Sequence, residues 1–260
     1  MIQRLNHPAS QGAYPLEKAY PPNNTLRILY WNIWYKSSAA EILAALKLFD
    51  CDALFLFELN RRSGLLPMIH EAGYGGRFVE TNSFGFLKKV DAGIAFFSRL
   101  RCGYIKNVVL SQGRRGLWRG GKDSRRCYLE AKLCIPGQPA IVVGGTHTSY
   151  KIPFIGSNSY YRETSTLIRE VSKHKLRYIF GGDLNAEQHS PLLGALSNNF
   201  TYLDAGNRYS WAVRRWVKIL PGRLLDHALT TDDLEGTKAE FLENYSSDHL
   251  PLVVTVPLKR

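Results

Sequence analysis

"IFGGDLNAEQHS", Ile179 to Ser190, is the stretch on which the reading of the whole chain turns. An apolar run stops at two glycines, and Asp183 and Asn185 follow one residue apart. Gly, Asp and Asn are common turn formers, each for its own backbone reason. A plain turn therefore accounts for this segment taken alone. A chain that repeats the pattern at other strand ends needs a different reading, because ligands of α/β sheets collect where strands end. The glycines are expected to let the strand turn sharply and to bring Asp183 and Asn185 round to face a ligand.

Working outward, the strand "LRYIFGGDLN" follows a helical pattern at "NSYYRETSTLIREVSKH" (Asn158–His174) and precedes a short helix at "PLLGAL". Near the N-terminus, "LRILYWNI" (Leu26–Ile33) reads as a strand. "AAEILAALKLF" (Ala39–Phe49) carries apolar residues at helical spacing. "DALFLFEL" (Asp52–Leu59) is a nearly continuous apolar run, as in a strand buried on both faces. A weaker helix falls around Leu65–Ala72. From Gly76 to Gly145 the runs "AGIAFFS", "GYIKNVVL", "CYLEAKLCI" and "AIVVGGTH" are separated by turn residues, as in antiparallel strands. "LLDHALTT" and "LPLVVTVPL" are the last two strands. Residues 1–24 read as an irregular arm and residues 25–260 as one domain, with no repeat and no dividing linker. The order predicts a mixed α/β domain with two sheets and helices outside.

Hydrophobic residues make up 45% of the 260 and charged residues 22%, ordinary for a soluble globular protein. The net charge of +12 is not ordinary, and favours polyanionic partners: nucleic acid, anionic lipid headgroups or phosphorylated small molecules. The four cysteines form no CxxC pair, so zinc-ligand spacing is absent. Cys51 and Cys127 sit among apolar neighbours and are expected to be small buried hydrophobes; a disulfide between two of the four is left open. The first residues lack an apolar signal-peptide core, and no run approaches the length of a membrane span. A cytoplasmic monomer is expected, with no protein partner inferable.

Polar residues recur at the ends of the apolar strands. Asn32 and Glu58 close the first two, His147 follows "AIVVGGT", and Asp183 and Asn185 follow "YIFGG". Asp226 and His227 head "ALTT", and Asp248 and His249 precede "LPLVVTV". Each has a bland explanation by itself, as a strand cap, a loop histidine or a turn former. Six strand ends that all carry ligand-grade or proton-transfer side chains do not. "YWNI", "FELN", "GGTHT", "GGDLNA", "LLDHALT" and "YSSDHLPL", in this order, resemble the signature blocks of the endonuclease/exonuclease/phosphatase superfamily. The resemblance runs from Leu26 to the C-terminus. It is similar in particular to small uncharacterised bacterial members. It implies a four-layer α/β sandwich, two face-to-face mixed β-sheets with helices outside, and divalent-metal-dependent hydrolysis of phosphate esters.

The residue types suit that chemistry. A phosphodiester repels an anionic nucleophile, so something must neutralise its charge and activate a water. Hard oxygen donors suit Mg²⁺, with Mn²⁺ as a substitute, and Glu58, Asn32 and Asp248 are the expected ligands. His249 is the expected base, with Asp226 orienting its ring. Asp183 is the rival base, which the resemblance casts as the group that orients or deprotonates the attacking water. Asn185 and His147 would donate hydrogen bonds to the phosphoryl oxygens. His227 reads as structural. Two departures stand out: Phe57 where many members carry Gln, and Leu224 where Arg is frequent, with Arg223 one place off. The second leaves open how Asp226 is held.

For the substrate, two basic stretches matter. "RLRCGYIKNVVLSQGRRGLWRGGKDSRR" contains Arg114, Arg115 and Arg119, and "RYSWAVRRWVK" interleaves Trp211 and Trp216 with Arg214 and Arg215. Together with Arg162 they are the candidate substrate contacts. Basic residues meet phosphates and aromatics stack on bases, so a DNA-binding nuclease is the first expectation. A phospholipid or pyrophosphate-linked substrate at an anionic membrane surface is the second, because Trp and Arg also suit headgroups. A non-catalytic nucleic-acid-binding module would keep the fold without the filled site. A serine hydrolase is disfavoured by the lack of a GxSxG elbow.

Overall fold

The computed structural model describes residues 24–84, 90–112, 125–149, 157–206, 209–211, 222–244 and 246–258 of the 260-residue chain. The first half runs β1 (Thr25–Asn32), α1 (Ala39–Phe49), β2 (Ala53–Asn60), α2 (Leu65–Glu71), β3 (Gly75–Phe84) and β4 (Val90–Ser98). Then come β5 (Cys102–Ser111), β6 (Arg126–Leu133), β7 (Ile141–His147), α3 (Ser157–Val171) and β8 (Tyr178–Asp183). The chain ends with α4 (Pro191–Ser197), β9 (Thr201–Tyr202), β10 (Asp226–Thr230), β11 (Lys238–Phe241) and β12 (Leu252–Pro257).

These strands form two six-stranded sheets, ordered β11-β12-β1-β2-β4-β3 and β5-β6-β7-β8-β10-β9. Each sheet contains one parallel pair, β1 with β2 and β7 with β8, and the other pairings are antiparallel. A parallel pair needs a long crossover, which α1 and α3 supply. The inner faces meet in one core, where Leu26, Ile28, Tyr30 and Phe55 oppose Leu129, Ala131, Val143 and Ile179. On the outer face of the first sheet, Ile42, Leu46 and Phe49 of α1 and Ile69 of α2 join Leu29, Trp31 and Leu54. On the outer face of the second, Leu167 and Val171 of α3 and Leu192 and Leu196 of α4 join Tyr178 and Phe180. That is the expected four-layer sandwich.

The strands the sequence did not announce, β3, β9 and β11, all lie at sheet edges. An edge strand buries little and shows a weak hydrophobic pattern; β11 and β9 alternate only between exposed and half-buried positions. The run from Gly76 to Gly145 is β structure as expected, but it is shared between the two sheets. All four cysteines are free, with Cys51 and Cys127 buried as expected. Among the described residues no helix is long and apolar enough to cross a membrane.

The two glycines of the opening stretch do different work from the expected turn. Gly181 and Gly182 lie inside β8, not after it. A Cβ at Gly181 would lie 3.0 Å from the Tyr30 ring of the facing sheet. At Gly182, where φ is +141°, it would lie 2.1 Å from the Thr146 carbonyl oxygen. Glycine is required at Gly182, where backbone meets backbone, while at Gly181 a side chain would press on the Tyr30 ring. The turn comes two residues past the strand end: Asn185 takes φ +45°, a left-handed conformation that Asn tolerates better than most residues.

Under α3, the second sheet carries a buried polar cluster. Glu130 of β6 accepts from Tyr128 Oη at 2.7 Å and Tyr104 Oη at 2.9 Å, and lies 2.9 Å from His174 Nε2. Tyr128 and Tyr178 hydroxyls meet at 2.6 Å, and His174 stacks on Tyr178. Burial opposes the Glu130 charge, but the bonds from His174 and Tyr128 outweigh it and hold its pKa down at about 2, from 4.5. A carboxyl depressed on folding adds stability above its unfolded pKa and loses it as pH falls through the folded one. Glu130→Gln is therefore expected to cost about 2 kcal/mol near neutral pH, the scale of hydrogen bonds to a charged group. Thermal melts should show that gap closing between pH 4.5 and about 2. A gap that stays constant on acidification would show that the charge adds nothing.

Candidate active site

Sheet register assembles half of the site. Asp183, the last residue of β8, lies level with His147 of β7 and with Asp226 of β10. Three separated stretches of sequence thus place their polar side chains in one row at one edge of the second sheet. His249 reaches the row from the loop before β12, with its Nδ1 2.8 Å from Asp226 Oδ2. Asp183 Oδ2 lies 3.4 Å from His147 Nε2 and 3.7 Å from His249 Nε2. Asp183 Oδ1 accepts from the Asn185 backbone N–H at 3.0 Å. Asn185 is itself tied down, its side-chain amide donating to the Thr148 carbonyl at 2.8 Å.

The first sheet supplies the other half. Asn32 ends β1, and its Nδ2 donates to Asp183 Oδ2 at 3.0 Å and to Glu58 Oε1 at 3.4 Å. Its Oδ1 accepts from the Trp34 backbone N–H at 3.1 Å. Asn32 therefore joins two carboxylates across the gap between the sheets. The amide nitrogen faces the two acids, and the amide oxygen, which accepts from Trp34, keeps a second lone pair that a cation could use. Glu58 sits not at a strand end but at a register shift between Leu56 and Leu59 of β2, with φ +57°. A bulge re-aims the side chain it carries, and a non-glycine residue in the left-handed region stores of order 1 kcal/mol of strain.

Asp248 is held by Trp211, whose Nε1 donates to its Oδ2 at 3.1 Å. The loop itself is pinned to β1, because Ser247 Oγ donates to the Asn32 carbonyl at 2.6 Å and Trp31 Nε1 donates to the His249 carbonyl at 2.9 Å. The question of what holds Asp226 finds its answer in Ser210, whose Oγ accepts from the backbone N–H groups of Leu225 and Asp226 at 2.9 and 3.0 Å. Arg223 pairs instead with Glu187. His227 points to the other side of the strand, binding Ala186 carbonyl and Tyr202 hydroxyl, which is the structural part expected of it. Sequence reasoning passed over Ser210, Trp31 and Ser247. Trp31 and Ser247 lie inside quoted motifs, but their partners are hundreds of residues away.

Burial sets the charges. Burial, with Asp226 beside it, pushes Asp183 from 3.8 up to about 7 despite the pull of His249 and Asn32. His249 is opposed by burial too, but Asp226 and Asp183 overcome it and raise its pKa to about 10. His147 is held well below 6.5 by burial and then by Arg126 and His249, so it is neutral. Burial also raises Glu58, and Asp248 adds to that rise.

The donor set can be tested against a divalent cation. Glu58 is a half-buried, strained carboxylate beside a second one, Asp248, and both are hard oxygen donors. Mg²⁺ takes one or two carboxylates and keeps several waters, so the pair fits it, and Mn²⁺ equally. Asp183, Asp226 and His249 also cluster within 4.8 Å; there Asp226 Oδ2 is bound to His249 Nδ1, while Asp226 Oδ1 is buried without a hydrogen-bond partner among the described residues. Of the expected substrate contacts, Trp211 is tied to Asp248 and Arg162 is exposed on α3. Arg114, Arg115, Arg119, Arg214, Arg215 and Trp216 lie outside the described residues.

Oxygen donors on one sheet opposed by a carboxylate–imidazole row on the other place the protein among the α/β-sandwich hydrolases of phosphoric esters. Its sequence matches the profile of the Endonuclease/Exonuclease/phosphatase family over residues 29–249, and the chain belongs to that family. Among solved structures it resembles the human Nocturnin catalytic domain with bound sulfate anion. The TM-score is 0.69 at 17% identity, with 93% of this chain and 97% of that one covered. It also resembles the endonuclease/exonuclease/phosphatase from Beutenbergia cavernae DSM 12333, with TM-score 0.65, 19% identity and 90% and 72% covered. D. rerio TDP2 complexed with single strand DNA product gives 0.65, 16% identity, and 89% and 98%. No curated protein matches the sequence.

Proposed function

We propose that the protein is a divalent-metal-dependent phosphodiesterase, with DNA as its substrate. The observation that carries the reading is the Asn32 bond that joins Glu58 to Asp183, because it sets the metal-ligand carboxylate beside the proton-transfer row. When bound at Glu58 and Asp248, the cation supplies charge neutralisation for a phosphoryl oxygen. The chain's own groups do the rest. Asp183 takes a proton from the attacking water; with its pKa near 7 it is ionised often enough to accept and basic enough to pull. Asn32 and the Asn185 backbone N–H hold that carboxylate still.

His249 exchanges the base role first expected of it for that of a donor. An imidazole raised to about 10 is already protonated near neutral pH and has no free lone pair. Asp226 keeps the ring charged and oriented, and Nε2–H faces the region of Asp183, where charge builds on the phosphoryl oxygens. Neutral His147 donates alongside it. The net charge of +12 and the TDP2 complex with a DNA product support nucleic acid as substrate.

A panel in Mg²⁺ tests this: plasmid DNA, abasic duplex, RNA, phospholipid vesicles and bis(4-nitrophenyl) phosphate. DNA cleavage abolished by EDTA is the expected result. Hydrolysis of vesicle lipid with DNA left intact would overturn the substrate, and inertness toward every ester would overturn the activity.

A further inference from the structure

Glu163 of α3 is a carboxylate with no solvent exposure and no part in the chemistry above. A buried charge is costly unless hydrogen-bonded, so its partners are informative. Glu163 Oε1 accepts from the Ser149 backbone N–H at 2.7 Å, and Oε2 from Ser149 Oγ at 2.9 Å and Ser111 Oγ at 3.3 Å. Ser149 lies two residues beyond His147, where β7 has left the sheet. Its Oγ, having donated to Glu163, accepts from Arg126 Nε at 3.1 Å. Arg126 Nη1 reaches back to the His147 carbonyl at 3.5 Å. A fully buried acid thus holds a serine, and the serine holds a guanidinium against the segment that carries a site histidine.

Arg126 is half-buried at the start of β6, and its charge is felt at Glu58 on the opposite sheet as well as at His147. Two of its five N–H donors face Ser149 and His147; among the described residues no acceptor takes the other three. A guanidinium is always charged and presents paired donors that match a phosphate.

We infer that Arg126 grips a non-bridging oxygen of the scissile phosphate, and that Glu163 is the positioning residue that aims it through Ser149. This rests on the phosphoesterase reading. Arg126 adds a second cationic contact besides the metal, from the opposite sheet, so the phosphate is held before the cation arrives. Glu163 touches no substrate. Its fixed carboxylate sets the Ser149 hydroxyl as acceptor toward Arg126, and without it the hydroxyl turns and the guanidinium swings free.

Titration calorimetry of inorganic phosphate into the full chain in EDTA tests the grip without the metal. Arg126→Ala and Arg126→Gln are expected to weaken phosphate binding about ten- to a hundredfold, the range for hydrogen bonds to a charged group. Arg126→Lys should recover part of it, because it keeps the charge but lacks the fork. Turnover of bis(4-nitrophenyl) phosphate in Mg²⁺ should show a matching loss of kcat/KM. Glu163→Gln and Ser149→Ala should raise KM with the circular dichroism spectrum unchanged; Ser149→Ala keeps the test alive if Glu163→Gln does not fold. Wild-type protein that ignores phosphate to about 10 mM would overturn the inference. So would an Arg126→Ala protein with unchanged phosphate affinity or unchanged kcat/KM. Active wild type with an indifferent Arg126→Ala sinks the grip alone; inactive wild type sinks the phosphoesterase reading, and the phosphate titration still decides Arg126.

Discussion

Asp183→Asn is expected to lower kcat by about a hundredfold to ten-thousandfold, the range for removing a positioned proton-transfer group. The amide keeps the shape and can still accept from Asn185 N–H, so the loss reports chemistry and not collapse. Stability should move the other way. A carboxyl whose pKa is raised on folding, here from 3.8 to about 7, binds its proton more tightly in the native state. Such a group favours the fold below its unfolded pKa and loses that contribution as pH rises through 7. In metal-free protein at pH 8, Asp183→Asn should therefore melt higher than wild type. An activity drop of less than tenfold would remove Asp183 as the base. His249→Gln should cost a similar factor in kcat if its charged ring is the donor.

Glu58→Gln should be the most damaging change to metal binding. The substitution keeps size and the bond from Asn32 but removes the negative charge that a divalent ion needs. Calorimetry with Mg²⁺ alone should show affinity lowered by at least about a hundredfold, and turnover should fall about a thousandfold or more, several kcal/mol of charge stabilisation. Unchanged Mg²⁺ affinity in Glu58→Gln would exclude Glu58 as the ligand. The backbone offers an independent check. At φ +57° glycine is unstrained where glutamate is not, so Glu58→Gly should abolish metal binding yet lose little or no stability. A large loss on that change would mean that Glu58 supports the fold rather than the site.

Much of the architecture was legible because hydrophobic pattern dictates element type. The 11 residues of α1 appear in the sequence with the bounds they keep in the fold, since burial of Ile42, Ala45, Leu46 and Phe49 imposes helical spacing. The short apolar runs of β1, β2 and β8 read as strands for the same reason: both faces are covered. The edge strands β3, β9 and β11 escaped because one side of them meets solvent, so little periodic burial disciplines their residues; β5, also an edge, was legible from its apolar run.

What the sequence by itself determined was the chemical inventory and its approximate address. Asn32, His147 and Asp183 stand at strand ends because parallel pairs expose their carboxyl ends along one edge, and antiparallel β10 brings Asp226 level with them by its amino end. Tertiary structure alone decided what those groups are. Register put His147, Asp183 and Asp226 in one row, which no spacing along the chain encodes. The facing sheet turned Asn32 into a bridge between acids and made Gly181 and Gly182 packing residues. Burial beside like and unlike charges moved Asp183 and His249 in pKa, which is what the proposed base role of the carboxylate rests on. Side-chain identity is local, but protonation, aim and strain depend on neighbours that only folding brings within a few ångströms.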